Sequence, residues 1–157
     1  MSDDLQKSKW RGRIIRYAPL LLWIAVILLA STMQGSMSNT SRFIRPLLIF
    51  LFPSAPEETL IIYHGYIRKF AHFAEYATLA FFASRAFWSS SIGIVRKYWF
   101  VFALGLVALI ALIDEYNQSF NPARTGSIYD FLLDVSGGIF MLIIFYTIKT
   151  CLFRRSA

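Results

Sequence analysis

The sequence predicts an all-α polytopic membrane protein: a bundle of four transmembrane helices, with a short interfacial or re-entrant segment between the first two. Three observations predict this fold. Of the 157 residues, 57% are hydrophobic, against roughly 45–50% in a typical soluble domain. The apolar residues are gathered in long runs, and about 20 helical residues cross the hydrocarbon core of a bilayer. Basic residues flank those runs, as they do in membrane proteins.

The first span is predicted over residues 17–34, behind a basic N-terminal segment. Such a run is also typical of a signal peptide, but no small-x-small cleavage site follows, which favours a retained helix. Residues 43–52 are apolar yet contain Arg45 and Pro46, and they are too few to span. We therefore expect an interfacial or re-entrant segment there. The motif from Ser54 to Glu57 has the spacing of a capping box, which predicts that a new helix starts there.

The remaining spans are predicted over residues 67–88, 98–114 and 130–151. The second span is the least apolar because ionisable side chains interrupt it. The third is almost uniformly apolar until Asp114, which is predicted to end it. Basic residues cluster at both chain ends and at Arg96–Lys97. Because Lys and Arg favour the cytoplasmic side, we expect both termini in the cytoplasm and the other two connections outside.

The net charge of +7 does not indicate a nucleic-acid-binding protein. Its basic residues border apolar runs instead of forming one basic face. We therefore expect the lipid bilayer as a partner and no nucleic acid. The sequence has no P-loop, dinucleotide-binding fingerprint or nucleophile elbow, so the common soluble enzyme classes are not supported. Residues 1–157 are expected to form a single membrane domain.

Polar residues from three predicted spans fall at the same, outer end of the bundle. Even on a lenient scale, a charge at the centre of a bilayer costs about 2.5–3.5 kcal/mol. Glu75 and Asp134 should therefore turn away from lipid and converge with the polar residues that close the third span. Candidate catalytic residues are Glu75, Asp114, Glu115 and Asp134, and candidate substrate-binding residues are Lys69, Gln118, Arg124 and Asp130.

Three kinds of chemistry suit this excess of acids, and the sequence leaves all three open. One is a site for a divalent metal, held by His72, Glu75 and carboxylates of the other helices. Another is acid–base chemistry, in which crowded carboxylates share a proton. The third is binding of a cationic or hydroxyl-rich head group, with Arg124 available for a phosphate. Structural ion pairs are the competing interpretation, and Asp130 could serve only as a helix N-cap.

Two blocks of the sequence resemble the VanZ-like family of bacterial membrane proteins. The first runs from Arg68 through His72 and Glu75 to Tyr76. The second contains the motifs at residues 114–124 and 130–137. The resemblance implies a multi-pass protein of the bacterial cytoplasmic membrane, and the family takes its name from a protein linked to resistance to the glycopeptide teicoplanin.

From the resemblance and the polar layer together, we expect an outward-facing acidic site that engages an envelope or lipid-linked precursor and affects glycopeptide susceptibility. Two alternatives remain open at this point. One is a metal-dependent intramembrane hydrolase or transferase that acts on a lipid-phosphate or glycolipid head group. The other is a non-catalytic accessory subunit of an envelope complex.

Overall fold

The computed structural model of the chain describes residues 2–33, 37–119 and 127–155, and these residues form α-helices and no strand. The all-α prediction is confirmed. The described residues contain six helices, namely α1 (Ser2–Met33), α2 (Met37–Leu51), α3 (Glu57–Trp88), α4 (Gly93–Lys97), α5 (Trp99–Ser119) and α6 (Ile128–Arg155).

Three of these helices are long and apolar enough to cross a membrane. The qualifying segments are Gly12–Ser31 in α1, Trp99–Ser119 in α5 and Ile128–Cys151 in α6. They overlap the first, third and fourth predicted spans, with different bounds. The predicted end of the first span, residue 34, lies outside the described residues.

The helix α3, which contains the second predicted span, is less apolar than these three but is the central helix of the bundle. It has 32 residues and is therefore about 48 Å long at the α-helical rise. It packs against every other helix in the described chain, and its largest contact is with α6. The polar side chains that lower the hydropathy of α3 therefore lie on the helix that packs against the most other helices.

The core follows a face of α3 that is built of small residues. Ala80, Ala83 and Ala86 have no exposed surface, and their spacing of three places them on one side of the helix. Val107 of α5 and Leu142 of α6 pack against this face and are equally buried. Small side chains allow helix backbones to approach closely, which favours association where lipid removes the hydrophobic driving force.

The closest helix approaches in this core occur at the tandem glycines of α6. A Cβ atom on Gly137 would collide with the backbone carbonyl of Phe73 in α3, lying 3.0 Å from its carbon. A Cβ atom on Gly138 would lie 2.6 Å from Cγ1 of Val107 in α5. The absence of side chains at these two positions therefore allows α6 to pack against both helices. Asp134, about one turn earlier, is placed at the same junction.

The two ends of the bundle have different contacts. At one end, the Tyr17 hydroxyl donates a hydrogen bond to Ser90 Oγ at 3.0 Å, and the Lys149 ammonium lies near aromatic rings. At the other end, the Ser31 hydroxyl donates to the Asp114 backbone carbonyl at 3.4 Å. The end of α1 therefore lies beside the end of α5. The basic residues predicted to be cytoplasmic and the predicted polar layer belong to opposite ends.

The segment between α1 and α3 is a helix that packs on α3. The 15 residues of α2 make about 22 Å, which is too short to span a bilayer. Leu48 is buried, whereas Phe50 is 81% exposed. Arg45 Nη2 lies 2.9 Å from Glu57 Oε2 at the start of α3. The hydrogen bond and the charge of Glu57 raise the pKa of the Arg45 guanidinium above its ordinary value.

One predicted helix start is confirmed, and one predicted helix end is wrong. The helix α3 begins at Glu57, within the motif from Ser54 to Glu57, but Pro56 occupies the N-cap position with no cap bond from a described side chain, so the predicted capping box is wrong. The helix α5 continues past Asp114 to Ser119. A carboxylate ends an apolar run in the sequence, but a helix continues through it when the bundle supplies a partner for the side chain.

Candidate functional site

The centre of the site consists of three side chains from three helices: His72 of α3, Asp114 of α5 and Asp134 of α6. One nitrogen or oxygen atom from each lies within 4.8 Å of the other two. His72 Nδ1 and Asp134 Oδ1 are 3.5 Å apart. The two aspartates are 3% and 0% exposed. Both carboxylates are therefore shielded from the surroundings of the bundle.

Asp134 is buried without the partners that a carboxylate needs. Neither of its oxygens accepts a hydrogen bond from any described residue. The His72 nitrogen at 3.5 Å is farther than the roughly 2.7–3.2 Å of an N–H···O hydrogen bond. Burial of an ion without compensating bonds costs several kcal/mol. Asp134 therefore needs a proton, a cation or a ligand close by.

Tyr76 is a site residue that the sequence analysis did not assign. Its side chain is fully buried, and its hydroxyl donates a hydrogen bond to Asp114 Oδ2 at 3.2 Å. It follows His72 by four residues and therefore lies on the same face of α3. That spacing was the available signal. Tyr76 therefore holds Asp114 through its Oδ2 atom.

A cavity of ≈160 Å³ opens beside this centre. Its lining includes two members of the centre, together with further charged and amide side chains of α3 and α5 and a hydroxyl of α1. The polar lining residues of the cavity are Ser31, Arg68, His72, Glu75, Asp114 and Gln118.

The apolar lining of the cavity comes from three helices: Ile27 and Ala30 of α1, Ile44 of α2, and Ile67 and Ala71 of α3. The sequence analysis assigned no site residue on α1 or α2, where the lining side chains other than Ser31 carry no polar group. The cavity is thus amphipathic, because acids and a guanidinium line it together with aliphatic side chains.

The structure separates the candidate residues of α3 into two groups. Glu75 lines the cavity but does not belong to the three-residue centre. Lys69 is exposed and is not among the described residues that line the cavity, whereas Arg68 is. Residues 68, 72 and 75 are spaced by four and three, so they share one helix face. The sequence analysis assigned Lys69 to the site, but the i, i+4, i+7 spacing of residues 68, 72 and 75 places Arg68 there, and Lys69 lies about 100° from Arg68 around the helix.

The remaining candidates lie around the connection between α5 and α6. Glu115 Oε2 accepts the Ser127 backbone N–H at 2.8 Å. The Ser127 hydroxyl accepts the Tyr129 N–H at 3.2 Å, and its carbonyl accepts the first helical bonds of α6. Ser127 is therefore the N-cap, and the N-cap interpretation of Asp130 is wrong, since Asp130 lies within the first turn. Arg124 lies outside the described residues.

Most of the chain matches a known family, since the family model for VanZ/LLP1 covers residues 17–151. The chain belongs to the VanZ/LLP1 family. The match extends from the apolar part of α1 into the last turns of α6 and includes every residue of the site, and the resemblance inferred from the two sequence blocks is confirmed. No curated protein and no solved structure matches this VanZ-family chain.

Family membership and three helices able to cross a bilayer make this VanZ-family protein a membrane protein. Its buried centre has an imidazole and two carboxylates in mutual reach, and its cavity adds a guanidinium, a third carboxylate and an amide. Groups of these types can hold a cation, exchange protons or bind the hydroxyl and phosphate groups of a ligand.

Proposed function

We propose that this protein has four transmembrane helices in the bacterial cytoplasmic membrane, with α3 as the fourth span, α2 at the interface and both termini in the cytoplasm. The central position of α3 supports its insertion, because Arg68, His72 and Glu75 line a cavity and the helix has neighbours on several sides. The positive-inside preference supports the orientation. Arg96 and Lys97 precede α5, whereas Asp114 of the site lies near the last residues of α5, which supports an outward-facing site.

We propose further that the outward-facing cavity engages the head group of an envelope molecule, a lipid-linked or glycan precursor, and thereby affects susceptibility to glycopeptides such as teicoplanin. The amphipathic cavity is the observation that carries this proposal. An amphiphile has a polar head that suits Arg68, Glu75 and Gln118 and an apolar portion that suits aliphatic lining residues such as Ile27 and Ile44.

The size of the cavity limits how much of such a molecule it encloses. Its ≈160 Å³ is less than the roughly 300–1,000 Å³ of pockets that enclose a drug-sized ligand. Only part of a head group fits, and the remainder of an amphiphile stays in the bilayer or outside it. This favours recognition of a small chemical unit, such as one phosphate or one sugar edge.

The test combines drug tolerance with direct detection of the ligand. Glu75→Gln, Asp114→Asn and Asp134→Asn are made singly, with Glu58→Gln as a control because Glu58 is an exposed acid on the same helix. At equal membrane levels, we expect the three site variants, but not the control, to lose the teicoplanin tolerance that the wild type confers. Mass spectrometry of lipids copurified with wild type and Asp114→Asn should show loss of a bound species.

Unchanged tolerance in all three site variants, together with identical copurified lipids, would remove the proposed function. Membrane levels and elution from a sizing column identify any variant that does not fold. Conservative amide replacements are chosen because they preserve side-chain volume.

A second candidate function is intramembrane hydrolysis or group transfer at a lipid-phosphate or glycolipid head group. The observation that favours it is the proximity of His72 to two buried carboxylates at the edge of a cavity, since such groups can act as general acid and base. Purified protein is incubated with lipid phosphates and glycolipids, and product formation is compared with that of His72→Ala. Lack of turnover by the wild type would leave only the binding function.

A further inference from the structure

We propose that His72, Asp114 and Asp134 bind a divalent transition-metal ion. This inference concerns the proposed functional site but does not require the envelope ligand, because a metal can bind whether or not that ligand does. The three side chains come from three different helices, and their candidate ligand atoms lie within 4.8 Å of one another. The site exists only in the folded bundle.

The distances suit an ion with nitrogen and oxygen ligands. Such bonds are about 2.0–2.2 Å long, which makes the edges of a tetrahedral site about 3.4 Å. The separation of 3.5 Å between His72 Nδ1 and Asp134 Oδ1 is close to that edge. The full group, within 4.8 Å, needs a contraction of at most about 1.4 Å at its longest edge (4.8 minus 3.4), which side-chain rotation can provide.

A second, independent observation points to a cation. Both oxygens of Asp134 and Nδ1 of His72 are buried with no hydrogen-bond partner among the described residues. Asp134 has no exposed surface at all. An ion between Asp134 and His72 would bond to these atoms of both side chains. Tyr76 already fixes Asp114 through Oδ2, as partners of metal-binding carboxylates commonly do.

The ligand set favours a particular class of metal. Ca²⁺ and Mg²⁺ prefer sites made of oxygen alone. One imidazole with two carboxylates is typical of borderline divalent ions such as Zn²⁺, Mn²⁺ and Fe²⁺. The charges also balance, because two carboxylates and a neutral imidazole around a 2+ ion form a neutral buried unit. A protonated His72 would compensate only one of the two aspartates.

A metal at this site also narrows the chemical class of head group that the cavity can bind. Three protein ligands leave at least one coordination position open, and His72 and Asp114 both line the cavity. An oxygen of the head group would fill that position. Arg68 also lines the cavity and favours an anionic oxygen because guanidinium binds phosphate strongly. The ligand class is therefore a phosphate-containing head group.

Metal content of the detergent-purified full-length protein tests the inference. The protein carries an affinity tag free of histidine and is incubated with Zn²⁺, Mn²⁺ or Fe²⁺ and then desalted. Elemental analysis should give about one ion per wild-type chain for at least one of the three metals. His72→Gln and Asp134→Asn should each retain less than a tenth of that amount.

Two matched variants serve as controls. His64 is the other histidine of the chain, and it also lies on α3 but outside the three-residue group. His64→Gln and Glu58→Gln should retain wild-type metal. Should Asp134→Asn fail to elute as a folded species, His72→Gln alone decides, since His72 is only partly buried. The absorption spectrum of Co²⁺-loaded protein provides a second measurement, because its visible bands should appear in wild type and disappear in His72→Gln.

Less than a tenth of an ion per wild-type chain with all three metals, or equal metal content in wild type, His72→Gln and Asp134→Asn, would overturn the inference. Equal losses in His64→Gln and His72→Gln would also overturn it. The result is separable from the proposed function. Metal without copurified lipid removes the head-group proposal alone, and copurified lipid without metal removes the metal site alone.

Discussion

The junction of α6 with α3 provides a sharp test of the packing that assembles the site. Gly137→Ala adds one methyl group where the backbone carbonyl of Phe73 already occupies the space. Backbone atoms cannot rotate away as a side chain can. The two helices must therefore separate, and the separation also moves His72 of α3 away from Asp134 of α6.

The size of the effect follows from the geometry. The added Cβ atom would lie 3.0 Å from the Phe73 carbonyl carbon, and ordinary contact begins at 3.4 Å, so the helices must part by at least 0.4 Å (3.4 minus 3.0). Overpacking of this kind costs about 1–3 kcal/mol. Alanine also returns about 1 kcal/mol of helix propensity relative to glycine. The overpacking cost should lie near its upper limit of about 3 kcal/mol, because the carbonyl oxygen is closer still. Subtracting the gain in helix propensity leaves an expected net loss of about 2 kcal/mol.

Thermal unfolding in detergent measures this loss. For a chain of this length, about 2 kcal/mol corresponds to a fall in Tm of roughly 4–8 °C. The control is Gly105→Ala in α5, where no described atom lies within 4 Å of the added methyl group, so Tm should stay unchanged or rise slightly. A Gly137→Ala protein as stable as the wild type and as Gly105→Ala would refute the packing argument.

Three further predictions use the same unfolding assay. Gly138→Ala should lower Tm because its methyl group would lie 2.6 Å from Val107 Cγ1, and adding Val107→Ala should recover part of the loss; a purely additive double variant would contradict this. Tyr76→Phe should lower the free energy of unfolding by about 1.5–3 kcal/mol, because it removes the hydrogen bond to Asp114. In an Asp114→Asn background the same substitution should cost much less, and equal costs in both backgrounds would exclude that bond as the cause. Ser127→Ala should cost about 0.5–2 kcal/mol by removing the N-cap of α6, with Ser127→Asn close to wild type; a neutral alanine variant would show that the cap contributes nothing.

The helical architecture could be predicted because lipid imposes few solutions on an apolar chain. A backbone in hydrocarbon must satisfy its own hydrogen bonds, so long apolar runs become helices, as α1, α5 and α6 do. The approach of Asp114 to Asp134 followed from the same reasoning. Buried carboxylates on separate spans have few places to lie except beside one another.

The composition of the three-residue centre could not be predicted in full, because it depends on helix rotation and depth. Glu75 and Asp134 were equivalent on the sequence, yet only Asp134 joins His72 and Asp114. The close approach at Gly137 sets the position of α6 against α3. A glycine pair indicates that two helices approach closely but does not identify which partner each glycine contacts.

The aliphatic lining of the cavity could not be predicted from the sequence for a different reason. Ile27 and Ile44 resemble any other aliphatic residue of an apolar helix, and only their position in the same cavity as the acids makes them part of the site. That Arg68 and not Lys69 shares a helix face with His72 and Glu75 could have been predicted, since helix spacing alone separates the two residues.

The central position of α3 also has a consequence for biosynthesis. His72 is made 62 residues before Asp134 (134 minus 72), so the helix with the most ionisable groups leaves the ribosome long before the segment that pairs with it. A nascent chain that ends before α6 lacks Asp134 and the helix that makes the largest contact with α3. The three-residue centre is thus completed only after the last helix has been made.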